Sequence, residues 1–253
     1  MTRRASTPTL LVFALGGVED STRRPLLPGY LRDLEVDLRD RCLATALEAG
    51  RDLGCKLVVS TPGQLDLAPD VEQISQSGGE FGVRLKDTIR RVSATTDGPL
   101  LVVGADSPGL TAAHLGLALE RLANDPGRVV LGPCPDGGFY LMAIDRDVDR
   151  ELDAVRWCDR RTLRTLMASL EAAGRSVSLL PGLGDLDHRG DLEAWLALRT
   201  SLAAPWHRLV HALRRALAAL CRPLTDPALM RPHAAFVPIP ATRAPPRFTR
   251  FQV

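Results

Sequence analysis

The stretch LLVVGADSPGL, Leu100 to Leu110, decides how this chain is read. Four apolar residues rich in Leu and Val, followed at once by Gly104, Asp106, Pro108 and Gly109, describe a strand buried on both faces that ends in a loop. Asp106 therefore stands at the carboxyl end of a buried strand. In open α/β sheets that rim is where ligands bind. A carboxylate fixed there can hold a divalent cation, although an Asp in this position also serves as a turn former or helix cap.

Working outward, short apolar runs alternate with helical periodicity. Thr9–Ala14, Lys56–Ser60, Leu100–Val103, Arg128–Leu131, Phe139–Ile144 and Ser176–Leu180 read as strands. Tyr30–Ala49, Gly82–Ala94, Thr111–Asn124, Asp159–Ala173 and Asp191–Arg199 read as helices, with Thr111 as an N-cap. That order predicts βαβ units and a mixed, mostly parallel sheet flanked by helices, an α/β domain over residues 1–200. Beyond it, Trp206–Arg222 places Trp206, Leu209, Val210, Leu213, Leu217 and Leu220 on one stripe, with Arg208, His211, Arg214 and Arg215 largely opposite. Residues 201–222 are thus expected to form a basic amphipathic helix. Residues 223–253, proline-rich and without period, are expected to be an extended tail.

The composition excludes several classes. A chain of 253 residues, 45% hydrophobic and 25% charged, suits a globular protein, and its formal net charge of +2 gives no reason to expect nucleic acid. No stretch approaches the roughly 20 apolar residues of a membrane span. The opening MTRRASTPTLLVFALGG has too short an apolar run for a secretory signal. Five cysteines without C-x-x-C spacing read as reduced thiols, and the expected location is the cytoplasm.

Three more stretches bear on chemistry. Gly132-Pro133-Cys134-Pro135-Asp136-Gly137-Gly138-Phe139-Tyr140 is a hairpin turn by its Asp-Gly, or a loop whose glycines let backbone approach a ligand. In Gly184-Asp185-Leu186-Asp187-His188-Arg189-Gly190-Asp191-Leu192, Asp185 and Asp187 face one side if extended, while Asp187 or Asp191 caps the next helix. Gln76-Ser77-Gly78-Gly79-Glu80-Phe81-Gly82-Val83-Arg84-Leu85 leads glycines into a helix whose N–H groups could meet a nucleotide.

Taken in order, these four stretches resemble the GT-A-like (Rossmann-like) nucleotide-diphospho-sugar transferase superfamily. More narrowly they resemble the bacterial arsenosugar-biosynthesis or radical-SAM-associated glycosyltransferases, relatives of 2-phospholactate and molybdenum-cofactor guanylyltransferases. The shared runs are Gly-x-Asp-x-Pro, Gly-Pro-x-x-Asp-Gly-Gly, Gln-x-Gly-x-[DE]-[LF]-Gly-x-Arg and Asp-x-Asp-x-x-x-Asp-Leu. The resemblance implies that Asp106 and Asp187, assisted by Asp185, hold Mg²⁺ or Mn²⁺ and carry catalysis. It implies that Asp136, Gly137 and Gly138 line the acceptor or sugar side. Gly16, Gly17, Arg23, Gln76, Gly78, Gly79 and Arg84 would then attend the nucleotide. Relatives close a glycine-containing first loop with Lys-Thr-Arg-Leu; here Ser21 stands at the Lys position, behind Glu19 and Asp20.

Three functions follow as expectations. One is a metal-dependent glycosyltransferase acting from a nucleotide or nucleotide-sugar donor on a small-molecule acceptor. The second is a guanylyltransferase-like nucleotidyltransferase joining an NTP to a phosphorylated acceptor, which leans harder on first-loop cations. The third is a binding or scaffold module. The helix of residues 201–222 is expected to pack on its own domain, with a homo-oligomeric or other protein partner next and a peripheral membrane surface last.

Overall fold

The computed structural model describes residues 6–198 and 204–220. In chain order its elements are β1 (Thr9–Phe13), α1 (Gly17–Arg23), a 3₁₀ turn (Gly29–Leu31), α2 (Arg32–Asp52), β2 (Lys56–Thr61), β3 (Val71–Ser75), α3 (Phe81–Ser93) and β4 (Leu100–Gly104). There follow α4 (Ala112–Asn124), β5 (Val129–Pro133), β6 (Phe139–Ile144), α5 (Asp149–Asp153), α6 (Thr162–Ala172), β7 (Val177–Leu179), α7 (Arg189–Leu198) and α8 (Ala204–Leu220). One seven-stranded sheet results, in the order β3-β2-β1-β4-β6-β5-β7. Among the described strands, only β6 is antiparallel to its neighbours, β4 and β5. The expected mixed, mostly parallel α/β sheet is what forms.

The apolar runs become strands because both faces of the sheet are covered. On one face, Leu43, Ala46 and Leu47 of α2 and Leu115, Ala118 and Leu122 of α4 pack on Leu10, Val12, Leu101 and Val103. On the other, Leu85, Ile89 and Val92 of α3, with Leu152 of α5 and Leu166 and Leu170 of α6, pack on Leu11, Val58, Leu100 and Val102. Alternate residues of one strand thus serve opposite faces, as a pleated ribbon requires.

Three elements were not read from the sequence. β3 pairs only with β2, and its residues after Val71 are at least partly exposed, so it lacks the unbroken apolar signature of the central strands. α1 and α5 are shorter than the window over which helical period is visible. Several boundaries also differ: α2 runs Arg32–Asp52 where Tyr30–Ala49 was expected, and α7 begins at Arg189 before Asp191. Thr111 precedes α4, but its hydroxyl meets His114 Nδ1 at 2.8 Å and makes no cap bond. α6 begins at Thr162 because residues 159–161 form a turn in which Asp159 Oδ1 accepts the N–H of Arg161 at 2.7 Å.

α8 folds back on its own domain. Trp206, Val210, Leu213 and Leu217 are buried in a third cluster with Leu38 and Cys42 of α2, Leu192 and Leu196 of α7, and Leu26, Leu27 and Leu186. Trp195 and Trp206 pack with their rings tilted at 58° and centroids 5.1 Å apart. Arg208, His211, Arg214 and Arg215 face outward, and Arg214 Nη2 donates to the Leu196 carbonyl at 2.8 Å. The junction at residue 200, Cys221, Arg222 and the proline-rich stretch of residues 223–253 lie outside the described residues. No described helix is long and apolar enough to cross a membrane.

Candidate active site

The strand order reverses between β1 and β4: from β1 the chain builds outward through β2 and β3, then returns to lay β4 on the other side of β1. A crevice opens at such a switch point, beyond the carboxyl ends of the two strands. β1 delivers α1 to that edge and β4 delivers Asp106. Because β6 runs antiparallel, the β5–β6 hairpin of residues 134–138 turns at the same edge.

The segment after β7 is drawn across this edge by backbone bonds. Leu180 N–H donates to the Leu131 carbonyl at 2.8 Å, Leu183 to Pro133 at 3.1 Å and Leu186 to Asp106 at 3.0 Å. Asp185 and Asp187 are thereby carried from the β5 side toward β4, although they lie far from Asp106 in the chain. Asp191, in contrast, belongs to α7: its Oδ2 accepts the His188 N–H at 2.7 Å, the reach-back arm of a capping box.

A guanidinium ties the acids together. Arg24 donates from Nε to Asp20 Oδ1 at 2.9 Å and from Nη1 to Asp187 Oδ1, and its Nη2 lies 3.5 Å from Asp106 Oδ2. Burial opposes the charged form of Arg24, but Asp106, Asp20 and Asp187 outweigh it and hold the guanidinium more firmly protonated than usual. Beneath it, buried Arg39 lies 3.0 Å from Asp20 Oδ2 and donates to the carbonyls of Leu186 at 3.0 Å and Arg24 at 2.8 Å. Buried Glu35, 3.6 Å from Arg39, accepts the N–H groups of Leu26 and Leu27, each at 2.9 Å. Arg39 thus fixes both the α1 end and the Asp185–Asp187 segment. Asp20, Arg24, Glu35 and Arg39 were not singled out from the sequence. The available signal was the i,i+4 spacing of Asp20 and Arg24, and of Glu35 and Arg39.

The acids feel one another. Burial raises the Asp106 carboxyl above its ordinary range, with Arg24 pulling it back and Asp187 adding to the rise. Burial, then the charges of Asp106 and Asp187, push Asp185 up to about 6. Its ligand atom also lies with those of Cys134 and Asp136, all within 4.8 Å of one another, a group that spacing alone did not suggest. Burial and Asp185 drive the Cys134 thiol well above its usual range, so it stays protonated and hydrogen-bonds that carboxylate.

The hairpin reading of residues 134–138 holds. Cys134 N–H donates to Gly138 at 3.1 Å, Gly137 to Cys134 at 3.2 Å, and Asp136 Oδ1 accepts the Gly138 N–H at 2.9 Å. Gly137 has φ +96°, and a Cβ there would meet the Arg160 carbonyl oxygen at 2.0 Å. Asp136 remains exposed at the rim.

The residues expected around a nucleotide are placed less uniformly. Gly16, at φ +86°, precedes α1, and the Asp40 carboxylate accepts the Gly17 N–H. Arg23 turns outward to Glu19 at 2.5 Å, and the Ser21 hydroxyl donates to the Val18 carbonyl at 3.0 Å. Gln76 is fully engaged: its Nε2 donates to the carbonyls of Ala14 and Ser60, each at 2.9 Å, and its Oε1 accepts from Arg84 Nη1. Arg84 also lies over Phe13, 5.6 Å from the ring centroid. This pair braces the ends of β1 and β2, while Gly78 and Gly79 are open to solvent. Trp157 packs on Phe81 and Phe139 and directly against Gly82, where a Cβ would lie 2.2 Å from the ring.

Residues 38–159 match a family described as uncharacterized proteins conserved in bacteria, DUF2064. No curated protein matches significantly in sequence. A protein of Desulfovibrio desulfuricans G20, named provisionally as a nucleotide-diphospho-sugar transferase, superposes with a TM-score of 0.69 at 23% identity, over 84% of this chain and 96% of that one. Rv0371c of Mycobacterium tuberculosis H37Rv, in its manganese complex, gives a TM-score of 0.45 at 18% identity, over 82% of this chain and 100% of that one. The chain has the α/β fold of the Desulfovibrio protein.

Proposed function

We propose that this chain is a metal-dependent glycosyltransferase that uses a nucleotide-sugar donor and a small hydroxylated acceptor. The observation that carries the reading is that Asp106 and Asp187, far apart in the chain, share the Arg24 guanidinium at the β1/β4 switch point, with Asp185 close enough to feel both charges. Asp20, Asp106 and Asp187 meet Arg24, and Asp20 meets Arg39 as well, which still leaves an excess of anionic charge that suits a diphosphate only with further cations. The donor set is made of hard carboxylate oxygens, the chemistry that Mg²⁺ and Mn²⁺ select, and a cationic group already bridges two of them. The residues therefore fit the ion, with Asp106 and Asp187 as ligands and Asp185 in support.

When bound, such an ion supplies charge stabilisation to a departing diphosphate. The chain's own residues do the rest. Asp106 and Asp187 would hold that ion at the diphosphate end of the donor, and Arg39 holds both acid-bearing segments in place. Asp136, exposed on the hairpin, takes the proton of the acceptor hydroxyl as that hydroxyl's oxygen replaces the nucleoside diphosphate at the sugar carbon. Gly78 and Gly79 leave backbone accessible to the base. The α1 end favours a diphosphate donor over a triphosphate: its Gly17 N–H is taken by Asp40, Ser21 supplies no cation, and Arg23 is paired with Glu19.

The test is product analysis with Mn²⁺ and a panel of nucleotide sugars and NTPs. Release of a nucleoside diphosphate is the expected result. It should fall at least about 100-fold in Asp106→Asn, whose amide keeps local hydrogen bonds but is a poorer ligand. Pyrophosphate release from an NTP would establish nucleotidyl transfer instead, and turnover unaffected by Asp106→Asn would remove that residue from the site.

A further inference from the structure

The seat between Asp106 and Asp187 is already filled by a cation that belongs to the chain. Arg24, which caps the C-terminus of α1, is anchored at its Nε by Asp20 of that helix and spreads its two terminal nitrogens over the two acids expected to hold a metal. A divalent ion takes oxygen ligands at roughly 2.0–2.6 Å and cannot share those two oxygens with a guanidinium in contact with them. The side chain is about two-fifths exposed, so it has solvent to move into. Arg39, by contrast, is 2% exposed and hydrogen-bonded to two carbonyls, and it stays.

We propose that Arg24 is a tethered counter-cation, which closes the Asp106–Asp187 seat when no metal is bound and turns to the donor's diphosphate when a divalent ion displaces it. This rests on the glycosyltransferase reading above. Without a cation, Asp106 and Asp187 would repel each other across a partly buried gap, and the Asp185–Asp187 segment would keep only its tie to the α1 end through Arg39. Arg24 removes that repulsion and keeps the ligands preorganised. Once released, its guanidinium can meet phosphate oxygens in bidentate fashion, supplying the cation that Ser21 does not. The exchange makes metal and donor binding cooperative: the ion frees the arginine that the diphosphate needs.

The experiment is Mn²⁺ titration of the full chain by electron paramagnetic resonance, alone and with UDP or GDP, in wild type, Arg24→Met, Arg24→Lys and Arg32→Met. Arg32 supplies the control, since it removes the same charge from a surface residue that touches Thr22 and not the acids. Arg24→Met should bind Mn²⁺ alone at least about tenfold more tightly, because its competitor is gone, and should bind the diphosphate at saturating Mn²⁺ at least about tenfold more weakly. Arg24→Lys, which cannot span both acids, should fall between wild type and Met on the metal measurement, and tests the point should the Met variant not fold. Equal Mn²⁺ affinity in wild type and both Arg24 variants would overturn the proposal, as would an equal gain in Arg32→Met. If no variant binds Mn²⁺ even with nucleotide present, the metal-dependent reading itself fails. Mn²⁺ binding by wild type with no change on substitution at Arg24 defeats only the exchange.

Discussion

At the scale of single residues, the site holds its acids together against their own repulsion. Asp185 shows this most directly. Burial, with Asp106 and Asp187 behind it, pushes its carboxyl up to about 6, against an unfolded value near ~3.9. The folded state therefore binds an extra proton between these values. Below them Asp185 is neutral in both states; above them it carries a charge that the folded chain tolerates less well than the unfolded one. With metal chelated, Asp185→Asn should raise the melting temperature at pH 7–8, and the gain should shrink through pH 6 and vanish near pH 4. A gain that is constant with pH, or a loss at pH 8, would show that the carboxylate is not penalised in the folded state. Arg39 stands at the other extreme, a buried cation without which Glu35 would keep only backbone N–H partners and Asp20 only Arg24.

At the scale of elements, α8 was read from its period and the structure gives it a partner within its own domain. Its stripe of Trp206, Val210, Leu213 and Leu217 covers α2 and α7 and leaves the arginine face to solvent. Leu213 is fully buried at the centre of that contact. Leu213→Asp should therefore cost about 3–5 kcal/mol by chemical denaturation, whereas Arg215→Asp, on the exposed face, should change stability by less than about 0.5 kcal/mol. A tolerated Leu213→Asp would mean that the stripe is not packed in solution. The elements that escaped reading share a physical cause. α1, α5 and β3 are short or half-exposed, and what stabilises them is tertiary: α1 is held by Asp40 at its Gly17 N–H and by the Asp20–Arg39 pair. The same holds for the site. Asp106 was legible as a strand-end carboxylate, and Asp185 and Asp187 as a pair on one side of extended backbone, while the roles proposed for them came from the resemblance. Arg24 was not, because its role depends on a hydrogen-bonded crossing from β7 to β4 that no local pattern encodes. Gln76 and Arg84, read as nucleotide contacts, use their polar groups on the ends of β1 and β2 and on each other.

At the scale of the whole molecule, the sheet order places chemistry where the chain changes direction. β1 and β4 part at their carboxyl ends, the single antiparallel strand β6 brings a hairpin to the same edge, and the segment after β7 closes it from above. Three parts of the chain distant in sequence thus bring acids to one sheet edge, and a fourth, the residue that ends α1, supplies their cation. The central claim is that the crevice at this edge binds a nucleoside diphosphate through a divalent ion. The most direct measurement is isothermal titration of the full chain with UDP, GDP, CDP, ADP and TDP, with and without Mn²⁺, in wild type and Asp106→Asn. At least one diphosphate should bind wild type at least about tenfold more tightly with Mn²⁺ than without, and Asp106→Asn should abolish that dependence. Binding that ignores Mn²⁺, a dependence that survives Asp106→Asn, or no binding by any of the five would contradict it.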